Sequence, residues 1–246
     1  MYERYRHQIR FRELGTAGQE KLLSSRVLIV GAGALGGMNA MMLARAGVGF
    51  LRIVDGDIVE LSNLHRQYLF TEADAEQAVL KTAAAAARLK EAAADLSVDP
   101  IAEYLNTENA DRIMEGMDLV IDSTDNMKTR LLINDLCAEK GIPWIYGGVA
   151  GAEGMTGTFL PGGPCLRCFL GKDGASKGSA GRGTAEEGIL GMLPAAVAAC
   201  QSAEALKILT GAGMVRKGIL FIDLWNHESL TLPVRHDPAC PVCGKY

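Results

Sequence analysis

The stretch RVLIVGAGALG, residues 26–36, decides the fold. It begins with a short apolar run typical of a buried parallel strand and ends in a turn that contains Gly31, Gly33 and Gly36. The apolar residues from Met38 to Ala46 then predict a buried helix. This order predicts a phosphate site, because glycines allow close backbone approach and the start of a helix offers free N–H groups. The alternative is that the glycines serve the turn alone.

Strands and helices alternate outward from this stretch. Further strands are predicted at residues 50–55, 97–103, 118–122 and 143–149, with helices at residues 79–95 and in a segment ending near Lys140. The alternation predicts an α/β fold with a Rossmann-like, doubly wound, mostly parallel sheet. Segments at residues 153–160, 218–224 and 229–234 predict added strands, the last two as an antiparallel hairpin, and residues 190–210 predict a long helix.

Length and composition favour a single domain over residues 1–246. The net charge of −4 argues against a nucleic-acid partner. No apolar run reaches the roughly 18 residues of a membrane span. The charged start MYERYRHQIR lacks a secretory signal, so we expect a cytoplasmic protein that does not bind membranes. Residues 171–188 are rich in glycine and poor in large apolar side chains, which predicts a mobile loop.

Charged and amide side chains follow the second strand. They are Asp55, Asp57, Asn63, Arg66 and Lys81. The acid at the strand end suits a nucleotide ribose, as in enzymes that use NAD, but the two cations suit a triphosphate, whose oxygens gain charge in the transition state. Asp125 and its neighbour Asn126 follow another strand, and we expect all of them to meet at one sheet edge. A carboxylate there suits Mg²⁺, although Asp125 could instead cap a helix.

Four of the six cysteines form two CxxC pairs. The first pair is Cys165 and Cys168, and the second is Cys240 and Cys243. Two such pairs predict one structural Zn²⁺ ion with four thiolate ligands and no open position for water. Redox dithiols or disulfides are the alternatives. Cys200 lies in an apolar helical pattern and is expected in the core.

Several motifs together resemble the ThiF/MoeB/HesA family, the bacterial relatives of ubiquitin-activating enzymes. They are RYxxQ (Arg4 to Gln8), GQEKL (Gly18 to Leu22), GAGALG, DxDxVxLSNLxRQ (Asp55 to Gln67), DSTDN (Asp122 to Asn126), CxxC and CPVCG. The resemblance covers nearly the whole chain.

The resemblance implies an adenylyltransferase that uses ATP and Mg²⁺. Its substrate would be the C-terminal glycine of a small ubiquitin-like, β-grasp sulfur-carrier protein ending in Gly-Gly, and the enzyme would be a homodimer. By resemblance, Asp55 holds the ribose, whereas Asn63, Arg66 and Lys81 contact the phosphates. Asp125 then lies beside the magnesium ion and the attacking carboxylate.

The sequence departs from the family pattern at three positions. Ala34 replaces a glycine near the phosphate. His7 stands where relatives place an arginine that reaches the partner subunit's ATP, so we expect Arg6 or Arg4 to take that role. Thr184 stands where some relatives carry a reactive cysteine, so we expect the reaction to stop at the acyl-adenylate.

Two other functions remain open at the level of sequence. An NAD-dependent oxidoreductase would share the glycine turn and Asp55, but it would leave Arg66, Lys81 and the CxxC pairs unexplained. A non-catalytic protein that docks a ubiquitin-like partner is the second alternative, favoured by the change at His7. Three outcomes distinguish these functions: ATP turnover indicates the adenylyltransferase, NAD binding without ATP turnover the oxidoreductase, and carrier binding without either the docking protein.

Overall fold

The protein is described by a computed structural model over residues 2–177 and 188–245. One sheet contains eight strands in the order β3-β2-β1-β4-β5-β6-β7-β8. The strands are β1 (Arg26–Val30), β2 (Phe50–Val54), β3 (Ser97–Ile101), β4 (Leu119–Asp122), β5 (Trp144–Ala150), β6 (Glu153–Phe159), β7 (Ile219–Asp223) and β8 (Glu228–Leu232). Each of the eight predicted strands is present, so the predicted mixed α/β fold is confirmed.

The first five strands are parallel and the last three are antiparallel to their neighbours. The chain leaves β1 on one side to form β2 and β3, and then returns to place β4 on the other side. Connections therefore diverge between β1 and β4, which opens a crevice at the carboxyl ends of these strands.

Helices cover both faces of the sheet. They are α1 (Arg6–Ile9), α2 (Gly15–Ser24), α3 (Ala34–Ala46), α4 (Glu72–Glu76), α5 (Lys81–Ala92), α6 (Ala110–Met114), α7 (Met127–Lys140), α8 (Leu166–Lys177) and α9 (Leu193–Thr210). Val27 and Ile29 of β1 pack with α3, α5 and α9, whereas Leu28 and Val30 pack with α6 and α7. Successive side chains of β1 thus enter opposite cores, which explains its continuous apolar sequence.

Two parts of the fold differ from the sequence-based expectation. The predicted loop at residues 171–188 begins inside α8, which runs to Lys177 with a non-helical residue at Gly171 (φ 69°, ψ 178°). The start of α8 is anchored because Leu166 is buried and Phe169 packs against the core. Residues 178–187 of that loop, including Thr184, lie outside the described residues. The helices α1, α2, α4 and α6 were not predicted, since each has only four to ten residues and is too short to show a clear helical pattern.

Within the described ranges, 2–177 and 188–245, no helix is both long and apolar enough to cross a membrane.

Candidate nucleotide site and four-cysteine centre

A cleft of about 440 Å³ lies at the carboxyl ends of β1, β2 and β4. This volume is within the range of small-molecule sites, and the position is the crevice expected of a doubly wound sheet. Nine of the predicted residues line it: Gly31, Gly33, Asp55, Asp57, Asn63, Arg66, Lys81, Asp125 and Asn126. Of the other two, Gly36 is buried behind the turn and Arg6 lies elsewhere on the surface.

The three glycines of the turn have different physical roles. Gly31 has a φ of +94°, and a Cβ there would lie 2.6 Å from the backbone oxygen of Ser123. A Cβ at Gly36 would lie 1.8 Å from the oxygen of Gly31, so helix α3 packs directly on the turn. At Gly33, by contrast, the nearest atom to an added Cβ is 3.7 Å away, on Gln67. Packing within the protein therefore leaves room for a side chain at Gly33, which lines the cleft.

Asp55 fastens the glycine turn to the end of β2. One carboxylate oxygen accepts a hydrogen bond from the backbone N–H of Ala32 at 2.7 Å, and the other accepts from the N–H of Asp57 at 2.8 Å. Burial raises the pKa of Asp55, while these two hydrogen bonds act in the opposite direction. The side chain therefore shapes the turn in addition to facing the cleft.

Lys81 and Asp57 form an ion pair in the wall of the cleft. The Nζ atom of Lys81 lies 2.8 Å from Asp57 Oδ2, and Lys81 is only 6% exposed. The hydroxyl of Tyr104 donates a hydrogen bond to the same carboxylate. Burial alone would raise the pKa of Asp57, but the hydrogen bonds from Lys81 and Tyr104 outweigh it and lower that pKa. Tyr104 was missed in the sequence, because a lone tyrosine after a strand carries no distinguishing pattern.

Arg66 and Asn63 stand on the short segment that follows β2. The guanidinium of Arg66 contacts the backbone oxygen of Ser62 at 3.3 Å and has no acidic partner among residues 2–177 and 188–245. Gln67 donates to Asn63 Oδ1 at 2.7 Å. Gln67 also lines the cleft, and its own Oε1 is buried without a partner. The segment thus offers the cleft a positive charge that no described carboxylate neutralises.

Asp125 and Asn126, in the turn between β4 and α7, have different roles. Asn126, not Asp125, caps α7, because its side-chain oxygen accepts a hydrogen bond from the N–H of Thr129 at 2.9 Å. The carboxylate of Asp125 is exposed in the cleft and makes no hydrogen bond or ion pair with the described part of the chain. The structure therefore does not use Asp125 as the helix cap.

A buried arginine beneath this turn was not predicted. Arg130 lines the cleft and forms an ion pair with Asp122, with Nε and Oδ2 3.4 Å apart. Burial raises the pKa of Asp122, which is fully enclosed, although the charge of Arg130 opposes the effect. The spacing of Asp122 and Arg130 in the sequence did not indicate an ion pair, because a turn and the start of a helix lie between them.

The N-terminal arginines lie away from the cleft of their own chain. Arg6 is exposed and forms an ion pair with Glu3 at 3.2 Å. The guanidinium of Arg4 donates a hydrogen bond to the backbone oxygen of Ala92. Neither reaches the cleft that its own chain forms.

The two CxxC pairs meet, although 71 residues separate Cys168 from the second pair in the sequence. All four Sγ atoms lie within 4.8 Å of one another, and the distances are 3.7 Å from Cys165 to Cys240 and 3.3 Å from Cys168 to Cys243. Sulfurs bound at about 2.3 Å to one tetrahedral zinc ion would be about 3.8 Å apart. Backbone hydrogen bonds from Cys243 and Val242 lower the pKa of Cys240 to about 7 despite its burial. The four thiols fit Zn²⁺, and all six cysteines are free of disulfides.

The comparisons with known proteins agree with this arrangement. The model of the ThiF family matches residues 5–242. The chain belongs to the ThiF family.

Two curated relatives align with this ThiF-family chain over almost its whole length. It is 40% identical over 244 residues to the SAMP-activating enzyme E1 of Haloferax volcanii, covering 99% of this chain and 89% of that protein. The chain is 41% identical over 248 residues to the sulfur carrier protein ThiS adenylyltransferase of Bacillus subtilis, covering 99% of this chain and 72% of that protein. Among solved structures, E. coli MccB with MccA-N7isoASN superposes with a TM-score of 0.85 at 22% identity, covering 99% of this chain and 75% of that one. This last likeness concerns the fold.

Proposed function

We propose that the protein is an ATP-dependent adenylyltransferase that activates the C-terminal carboxylate of a ubiquitin-like sulfur-carrier protein. The observation that carries the proposal is the cleft in which Arg66, Lys81 and Asp125 meet the glycine turn. The names of relatives at about 40% identity support it, because they are adenylyltransferases and activating enzymes of sulfur carriers.

In the proposed reaction, an oxygen of the carrier's carboxylate attacks the α-phosphorus of ATP. The new O–P bond forms as the bond to the β-phosphate bridging oxygen breaks, and pyrophosphate leaves with that oxygen. The attacking carboxylate is already ionised at pH 7, so the enzyme needs no general base. Its tasks are alignment and neutralisation of the charge that develops on phosphate oxygens.

The residues of the cleft suit these tasks. The backbone N–H groups at the start of α3 would donate hydrogen bonds to phosphate oxygens. Asp55 would orient the ribose, because each of its oxygens retains a lone pair beyond its backbone hydrogen bond. Arg66 and Lys81 would balance the charge of the triphosphate, with Asn63 as a further donor. Asp57 holds Lys81 at the cleft wall.

Asp125 would hold Mg²⁺ together with phosphate oxygens of ATP. Its exposed carboxylate has no partner within residues 2–177 or 188–245, and Mg²⁺ prefers such oxygen ligands. When bound, the ion would reduce the negative charge of the triphosphate. Asn126 would place this carboxylate by fixing the start of α7.

The four cysteines would hold a structural zinc ion. With every position of a tetrahedral ion filled by a thiolate, no place remains for substrate or water. The ion would join the start of α8 to the C-terminal segment. A cytoplasmic location, as predicted from the sequence, would keep the thiols reduced.

We propose a homodimer in which Arg6 completes the partner's site. Arg6 is exposed, and its ion pair with Glu3 lies on the surface, where such pairs contribute little. If this is right, Arg6→Ala and Asp125→Ala are each inactive, and mixing the two variants restores activity through dimers with one intact site. Activity of Arg6→Ala alone at the wild-type level would exclude Arg6, and the same measurement on Arg4→Ala tests the other candidate.

The reaction is proposed to stop at the acyl-adenylate. The sequence contains no cysteine between residues 171 and 188, and Thr184 stands at the position of the reactive cysteine in some relatives. Mass spectrometry of the enzyme with ATP and carrier should detect no covalent enzyme–carrier species. A thioester or acyl-disulfide would overturn this part of the proposal.

The decisive experiment combines labelled ATP, Mg²⁺ and a purified carrier, for which the ThiS protein of Bacillus subtilis and a SAMP of Haloferax volcanii are the first choices. We expect an AMP adduct on the carrier and release of pyrophosphate. Arg66→Gln should abolish both, whereas Arg52→Lys, which changes an arginine outside the cleft, should not. NAD binding without ATP turnover would favour an oxidoreductase, and carrier binding without ATP turnover would favour a docking protein.

A further inference from the structure

The backbone that leads into Asp125 is held from both sides by one buried ion pair. The N–H and the hydroxyl of Thr124 both donate to Asp122 Oδ1, at 2.9 and 2.6 Å. The carbonyl of Thr124 accepts from Arg130 Nη2 at 2.6 Å. Because Asp122 and Arg130 are paired with each other, the three residues form a closed ring of polar contacts.

The same arginine joins this turn to the next strand. Arg130 Nη2 also donates to the carbonyl of Gly147 in β5 at 3.1 Å. The position of Thr124 is thereby fixed relative to β4, β5 and the first turn of α7. A guanidinium suits this role, because one planar group can face a carboxylate and two carbonyls at once.

Burial makes the ring rigid. The side chain of Asp122 is fully enclosed and that of Arg130 is 7% exposed. Arg130 Nε and Asp122 Oδ2 make no hydrogen bond within the described residues, so the attraction of opposite charges 3.4 Å apart is what compensates their burial. Separation of the pair would leave two uncompensated buried charges. The pair therefore resists movement that an exposed ion pair would allow.

The neighbouring carboxylate depends on this support. Asp125 makes no side-chain hydrogen bond to residues 2–177 or 188–245, so its position follows from the backbone on either side. Asn126 fixes the following side through the cap of α7. Thr124 fixes the preceding side, through the ring.

We propose that the ring of Asp122, Thr124 and Arg130 is a positioning device that holds the Asp125 carboxylate where Mg²⁺–ATP binds. The proposal rests on the proposed function. None of the three residues needs to touch the nucleotide for this role. In the absence of Mg²⁺, the ring would contribute little to the affinity for ATP.

Two calorimetric titrations of the protein with ATP test the role of the ring, one in the presence of Mg²⁺ and one in the presence of a chelator instead. Neither needs the carrier protein. Arg130→Lys keeps a positive charge, but its single nitrogen cannot replace both Nε, which faces Asp122, and Nη2, which donates to the two carbonyls. We expect the ratio of ATP affinity with Mg²⁺ to ATP affinity without Mg²⁺ to fall by about tenfold or more, as for loss of a charge-assisted hydrogen bond. The ATP affinity without Mg²⁺ should stay within about twofold of the wild-type value. Arg52→Lys is the matched control, since Arg52 pairs with Asp99 and donates to the carbonyl of Ile113, and none of these residues lines the cleft.

Thr124→Val is the second variant, and it decides the matter if Arg130→Lys does not fold. It removes only the hydroxyl contact with Asp122 and should lower the gain from Mg²⁺ in the same direction. An undiminished gain in both folded variants, or an equal loss of affinity with and without Mg²⁺, would overturn the positioning role. A wild-type protein that binds no ATP would instead overturn the proposed function, so the two failures are distinct.

Discussion

At the scale of single residues, neighbouring glycines of one motif have separate reasons to be glycine. Gly36 is required by packing, since a Cβ would overlap the oxygen of Gly31. Gly33 has room for a Cβ and borders the cleft. Packing thus requires only one of these two glycines, and the proposed nucleotide would account for the other.

Gly33→Ala should fold normally and bind ATP about tenfold more weakly, because the methyl group enters the phosphate space. Gly36→Ala should lose at least about 3 kcal/mol of unfolding free energy, because α3 cannot move away without breaking the turn. Denaturant unfolding and calorimetry separate the two effects. Equal stability losses would contradict the assignment.

Asp57 gives a pH dependence of known sign. Its pKa in the folded protein is below the ordinary value, so its ionised form stabilises the fold above the unfolded pKa of about 3.9, and this stability is lost as pH falls further. The difference in unfolding free energy between the wild type and Asp57→Asn should therefore shrink on acidification below about pH 4. A difference that grows on acidification would show that the Lys81 pair is not the cause.

At the scale of elements, helix α7 links the cleft to the four cysteines. Asn126 caps this helix, and its first turn carries Arg130. One turn later, the fully buried Asn134 accepts a hydrogen bond from the N–H of Leu166 at 2.8 Å, and Asp135 pairs with Arg167 at 2.6 Å. The first CxxC pair is thereby fastened to the helix that begins at the cleft.

Asn134→Ala should therefore weaken zinc retention although no ligand is changed. Loss of the buried acceptor costs about 1 to 3 kcal/mol and frees the backbone beside Cys165. Zinc release to a colorimetric chelator should be faster than in the wild type. Lys128→Ala, an exposed change on the same helix, is the control and should release zinc at the wild-type rate.

At the scale of the whole molecule, the four-cysteine centre joins distant parts of the chain. It connects the segment before α8 with the C-terminal residues that follow β8. The sheet and its two cores are built from other residues. Loss of the centre should therefore loosen one end of the molecule and leave the sheet intact.

Removal of zinc by a chelator, or the change Cys243→Ala, should lower the melting temperature while far-ultraviolet circular dichroism stays near that of the wild type. The loss should be well under the roughly 10 kcal/mol of small zinc domains, because the large core remains. Metal analysis should find about one zinc per chain before treatment. Complete unfolding on zinc removal would contradict a merely local role.

The sequence by itself determined the eight strands, the glycine turn and nine of the residues that line the cleft, because burial of parallel strands and glycine geometry leave local patterns. It also predicted the four-cysteine cluster from spacing. Only the tertiary structure decided that Asn126 rather than Asp125 caps α7, that Tyr104 reaches Asp57, and that Arg130 supports the turn beside Asp125. The contacts of Tyr104 with Asp57 and of Arg130 with Gly147 join segments that meet only in the assembled sheet, so spacing along the chain does not reveal them. The cap is local, but the choice between two adjacent polar residues depends on where α7 begins.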